Sequence, residues 1–111
     1  MKTENPILIL SVTALTDVTK NLIANVGGGL ANATDVPLGV FNADTLATEQ
    51  APVMVNGVAL VVSGDIITAG DLVKSDANAK AIATTTNDKF VFGKALDSSV
   101  VAGDIIRVLL N

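Results

Sequence analysis

The run GVALVVSGDIITAGDLVKSDANAKAIATTTNDKFVFGKALDSSVVAGDIIRVLLN, residues 57–111, decides the fold. Its apolar residues come in short groups, each cut off by glycine, aspartate or asparagine. Breaks about 8 to 12 residues apart are the punctuation of a small barrel or sandwich. Three Gly-Asp steps, Gly64-Asp65, Gly70-Asp71 and Gly103-Asp104, each precede an apolar run. Glycine accepts positive φ and aspartate bonds the amides that follow it, so each step reads as a turn entering a strand. Asn87-Asp88 reads as the turn of a hairpin joining residues 81–86 to 90–96.

The upstream half continues the pattern. Valine, isoleucine and threonine make up 34 of the 111 residues, a β-branched load that favours pleated, half-buried strands. Strands are expected over residues 7–13, 21–26, 38–41, 53–62, 72–74, 79–84, 90–96 and 105–110. The one helical alternative covers 16–25, where Thr16 or Asp17 would cap and Gly27 would terminate. The expected architecture is mainly β: a small single-domain β-barrel or β-sandwich with short hairpins and at most one short helix. A weak internal similarity relates residues 39–55 to 93–109, both running glycine, short strand, polar loop, strand.

Composition narrows the chemistry. Histidine, cysteine, tryptophan and tyrosine are absent, which removes disulfides, thiolate nucleophiles, imidazole acid-base work and nearly every zinc site. The net charge of -4 and the single arginine, Arg107, have the wrong sign and number for a phosphate backbone, and three phenylalanines make no base-stacking platform. Neither a membrane span nor a signal peptide is read near the start, where the apolar run 6–10 is far shorter than the roughly 20 residues of a spanning helix. Synthesis in a cytoplasm is the expectation.

The motifs that hint at sites have plainer structural readings. Gly27-Gly28-Gly29 lacks the lysine and hydroxyl residue of a phosphate loop, and GxGxxG spacing fails at Asn32. Asp76-Ala77-Asn78 opens like a calcium loop but has neither its glycine nor its closing glutamate. Asn32-Ala33-Thr34 fits a glycosylation tripeptide with no secretion signal to accompany it. Lys74 and Lys80 lack the hairpin signature of biotinyl or lipoyl carrier lysines, and five serines have no histidine to activate them. No catalytic, cofactor-binding or metal residue is assigned, and no cofactor is expected.

The strongest argument concerns surface. An antiparallel sheet with one wet face alternates apolar and polar residues, yet Val53-Met54-Val55 and Val58-Ala59-Leu60-Val61-Val62 are apolar on both sides. Burial between subunits or against a larger assembly accounts for this over the whole chain, the alternative for any single strand being a tightly wound core strand, and Val53, Val55, Val58, Leu60 and Val61 are the candidate interface residues. A charge at Val61 is expected to disrupt the assembly.

The order of segments in residues 57–111 resembles the capsid cement, or decoration, proteins of tailed phages. The matching steps are Val58 to Val62, Ile67-Thr68-Ala69-Gly70-Asp71-Leu72-Val73, Asp76 to Ala81, Thr84 to Thr86, Gly93 to Asp97, Val101 to Asp104 and the closing Val108 to Asn111. Upstream, Leu38-Gly39-Val40-Phe41 is similar to the strand before that family's first loop. The resemblance covers about two-thirds of the chain; residues 1–13 and 30–37 fit it loosely. It implies a non-enzymatic virion protein on the outer capsid surface, bound to the major capsid protein as a homotrimer, while composition leaves no nucleic-acid or membrane partner to be expected. Residues 1–6 are expected to form an extended arm, with Lys2, Thr3, Glu4, Asn5 and Pro6 as capsid contacts, and 7–111 a single β domain. The alternatives are another virion β domain, such as a head-fibre base or tail-associated module, and a ligand-binding β module.

Overall fold

Two apolar runs, 51–55 and 58–62, join in a single 13-residue strand on which the rest is assembled. The computed structural model describes residues 4–85 and 88–110. Eight strands follow in order: β1 (Asn5–Thr13), β2 (Ile23–Asn25), β3 (Pro37–Phe41), β4 (Gln50–Val62), β5 (Leu72–Ser75), β6 (Ala81–Thr84), β7 (Gly93–Ala95) and β8 (Ile105–Leu110). Every strand pairing is antiparallel. The path runs β2-β3-β4-β8-β7-β5-β6, with β1 added to β4 outside it. Val53 and Met54 pair with both β1 and β3, and Gly57 and Val58 with both β1 and β8. A strand has two edges, so β1 takes one edge of β4 while β3 and β8 share the other.

The sheet curls until its last strand meets the end of β4. Ser63 and Ala81 form a parallel bridge, and Gly64 N donates to Ala81 O at 2.7 Å. Ile23 N, on the first strand of the path, donates to Ala79 O at 2.8 Å. Inside this half-barrel lie Ala59, Val61, Ile67, Val73, Ala81, Phe92, Ala95, Ile106, Val108 and Leu110. A second, smaller cluster gathers Ala14, Val18, Ala24, Phe41, Ala51 and Val53 beneath the 14–18 loop.

One glycine explains how β4 serves both. Ala51 and Val53 reach the smaller cluster while Met54 reaches the larger. Regular alternation would return Ala59 and Val61 to the side of Val53, yet both lie in the larger cluster. The parity changes across the irregular pairing around Asn56 and Gly57, where Gly57 adopts φ +108°. An extra residue at a bulge reverses which face the following side chains occupy.

All eight expected strands exist, β8 with the expected ends and the others shifted by up to three residues at an end. The helical alternative over 16–25 does not form. Val18 bridges to Thr45 instead, and Asn21, at φ 72°, accepts from Val62 N and donates to Phe41 O. Its backbone groups are taken up by neighbouring strands rather than by a helical turn. The expected 81–86 to 90–96 hairpin is also replaced: Leu72 and Val73 pair with Thr84 and Ala83 of β6 and with Lys94 and Gly93 of β7. β6 and β7 therefore flank β5, and the connection between them crosses over it. Asn87 lies outside the described residues. Of the Gly-Asp steps, Gly70-Asp71 enters β5 and Gly103-Asp104 enters β8, both glycines at φ +98°. Gly64-Asp65 leaves β4 and leads only to the Ile67–Ser99 bridge.

Asp88 anchors the crossover. Its carboxylate accepts from Phe90 N at 2.8 Å and Thr84 Oγ1 at 2.8 Å and pairs with Lys74 Nζ at 3.0 Å. The Phe90 amide first, then Lys74 and Thr84, lower its pKa from 3.8 to about 2. A carboxylate whose folded pKa is depressed stabilises the protein above its unfolded pKa and loses that contribution as pH falls through the folded value. Acid titration of Asp88→Asn beside the wild type should show a stability gap at neutral pH that closes between about pH 4 and pH 2; a gap constant over that window would contradict the assignment.

Candidate interaction surface

The outward side of β4 and β8 is apolar. Val58 faces Leu109, Leu60 faces Arg107 and Val62 faces Ile105 across the ladder, while the intervening Ala59, Val61, Ile106 and Val108 fill the half-barrel. Ile105 and Leu109 are 42% and 43% exposed, and Val58, Leu60 and Val62 are half-buried. The one charge on this shelf is held in place: Arg107 Nε donates to Asp97 Oδ2 at 3.0 Å and Nη2 to Oδ1 at 2.9 Å. Asp97 Oδ2 also accepts from Arg107 N at 2.9 Å. This fork keeps the guanidinium more firmly protonated than usual and offsets its charge locally.

Beside the shelf lies β1. Ile7 is 76% exposed and Leu8, Ile9 and Leu10 are between 42% and 48%. Leu10 pairs with Val53 and Ile9 with Met54, which point to opposite clusters, so β1 carries apolar side chains on both faces. Its only strand partner among the described residues is β4. Edge strands are ordinarily protected by lysine, proline or a cover; from Ile7 to Thr13 this one has neither residue. A third apolar group, Ile66, Val100 and Val101, is exposed where the Ile67–Ser99 bridge joins two turns.

The structure separates the interface candidates. Val53 and Val61 are fully buried within the chain and have no side-chain surface to offer a partner. The expectation that they form an interface is corrected: Val53 fills the smaller cluster, and Val61, beyond the parity change at Gly57, fills the larger. A lysine at Val61 would sit in the apolar half-barrel and report on folding rather than association. Val58 and Leu60 lie on the shelf, and Val55 packs against the smaller cluster. Ile7 to Leu10, Ile105 and Leu109 were missed as surface residues, although the unbroken Ile7-Leu8-Ile9-Leu10 run without a lysine is a signal of an undefended edge.

Of the arm candidates, Lys2 and Thr3 lie outside the described residues. Glu4 is half-buried, and the Asn42 amide, turned to satisfy both groups, donates to Glu4 Oε2 at 2.7 Å. Asn5 and Pro6 already belong to β1, opposite Val58 and Gly57.

The motifs set aside above have structural employment. Asn25 Oδ1 accepts from Gly27 N at 3.0 Å and Gly29 N at 2.9 Å, using the amides a phosphate would need. Asp76 Oδ1 accepts from Asn78 N and Lys80 N. An open cleft of about 310 Å³ is lined by Asp17, Val18, Asp44, Leu46 and Glu49 among others. Within it Asp17 accepts from Ala47 N and Asp44 from Lys20 N, so these carboxylates tie loops together.

A family model described as phage cement protein matches residues 1–110. Among solved structures, the head fiber gp8.5 N base of bacteriophage phi29 superposes with a TM-score of 0.74 at 19% identity, over 94% of this chain and 93% of that one. At that identity the likeness is one of fold. Comparison with curated protein sequences returns no match. With the family model spanning nearly every residue of the half-barrel and of β1, the chain belongs to the phage cement protein family.

Proposed function

We propose that this protein decorates the outer surface of a tailed-phage head, bound to the major capsid protein as a homotrimer, and that its role is structural rather than enzymatic. Family membership over residues 1–110 carries the reading. The surface agrees with it: a chain this small rarely leaves an apolar strand edge and shelf open unless a larger assembly covers them. Residues 1–6, of which Asn5 and Pro6 open β1, are proposed to contact the shell or a neighbouring subunit. The protein would be made in the host cytoplasm, where heads assemble, and act through number: many modest contacts around a shell give up their hold only together.

Quantitative mass spectrometry of purified particles tests this. A copy number of the same order as the major capsid protein, lost on stripping the shell while tails stay attached, is the expected result. Presence in only a few copies, or absence, would overturn it. The fold likeness to a head-fibre base favours a second reading, in which the domain seats a longer appendage; co-purification of the chain with a fibre protein would select that reading.

A further inference from the structure

β1 is the second-longest strand, yet it is hardly part of the core. Every residue from Asn5 to Ser11 is exposed, and of the whole strand only Val12 packs against either apolar cluster. The shorter β3 and β8 each bury three residues. We infer that β1 is a strap: it rests closed on β4 and opens as a unit, hinged at Thr13, while the half-barrel and the smaller cluster stay folded. The inference concerns the single chain and does not rest on the decoration role.

Ordering a strand costs backbone entropy at every residue, and main-chain hydrogen bonds within reach of water return about as much as that cost. Buried apolar side chains ordinarily supply the surplus, and β1 brings few. Its ladder is also interrupted. Pro6 pairs with Gly57 and Leu8 with Asn56, passing over Ile7, and Ile9 pairs with Met54, passing over Val55. Pro6 has no amide to give. The polar ties sit at the ends: the Asn42 amide on Glu4, just before the strand, and Gln50 Nε2 on Thr13 Oγ1 at 2.9 Å.

After Thr13 the attachment changes in kind. Ala14 is buried, its N–H donates to Glu49 O at 2.9 Å, and its carbonyl accepts from Thr48 N at 2.8 Å. Segments with few buried apolar contacts and exposed main-chain bonds open at a fraction of the cost of global unfolding, so the boundary between strap and fold lies between Thr13 and Ala14. Opening bares the edge of β4 from Gln50 to Val58, a row of main-chain donors and acceptors that an extended chain can pair with. It also frees residues 5–13, which span about 30 Å when extended. Closed, the strap blunts that edge.

Native-state amide exchange on the full chain, free of heads, tests this. Amides of β1 that point at β4 should exchange at least about 100-fold faster than those of the β4–β8 ladder. Their rates should change little with denaturant, because opening a strap exposes little surface. Leu10→Pro and Ser11→Pro supply a second measurement. Successive strand amides point to opposite edges, so one of these two prolines removes a donor to β4 and the other does not. The variant that removes it should lose the remaining protection of β1 while the main thermal transition falls by less than about 10 °C. Protection of β1 equal to that of the β4–β8 ladder, with the same denaturant dependence, would overturn the inference. So would a proline variant whose cooperative transition is lost or falls further than that. Neither measurement involves heads, so the decoration role stands or falls separately, on the composition of the particles.

Discussion

Gly57→Ala is expected to destabilise the protein by about 3 kcal/mol, lowering the melting temperature by roughly 12 °C. Two costs combine. The backbone sits at φ +108°, which a side chain rarely tolerates. A Cβ there would also press on Asn5 O, on Ile7 N at 2.8 Å and on Pro6 Cα at 3.1 Å, all backbone atoms of β1. Gly70→Ala is the control: its φ is +98° and nothing lies within 4 Å of the added carbon, so it should lose only about 1 kcal/mol. Chemical denaturation of the pair separates conformational strain from collision. Equal losses would show that β1 yields freely and is not held where it lies against β4.

Phe41→Ala is expected to cost about 4 kcal/mol. Phe41 is fully buried and is the largest side chain of the smaller cluster, where Val18 of the overlying loop and Ala51 and Val53 of β4 surround it. A loss of that size is a large share of the ~5–15 kcal/mol that holds a typical domain together. Calorimetry should show a much lower transition temperature, and amide exchange should quicken first around Ala14 and Val18, whose amides bond to Glu49 and Thr45. A loss below about 1 kcal/mol would mean that the smaller cluster contributes little to the fold.

Strand existence was legible because each strand announces itself locally, through β-branched runs and Gly, Asp or Asn breaks. Partnership was not. The Asn87-Asp88 turn suggested a neighbouring pair, but β5 has the free edges that β6 and β7 occupy, and that is settled by contacts distant in sequence. The Val53 to Val62 run pointed to cover by a partner, whereas Val53, Met54, Ala59 and Val61 are buried within the chain itself. What it concealed was the change of face at Gly57, so Val61 and Leu60 looked alike although one lies inside and the other outside. The internal similarity has a physical basis: a Cβ on Gly39 would strike Met54 O, and one on Gly93 would meet Leu109 O at 2.6 Å. Each glycine lets a neighbouring carbonyl approach at the same point of its strand pair.

The placement of β1 and β8 on opposite edges of β4 brings the two ends of the described chain together, with Asn5 opposite Val58 and Leu110 opposite Gly57. Strands two positions apart in a sheet are about 10 Å from one another. A short polar linker would thus span the gap in a circular permutant, and peptides grafted before Asn5 or after Leu110 would leave the molecule from nearly one point.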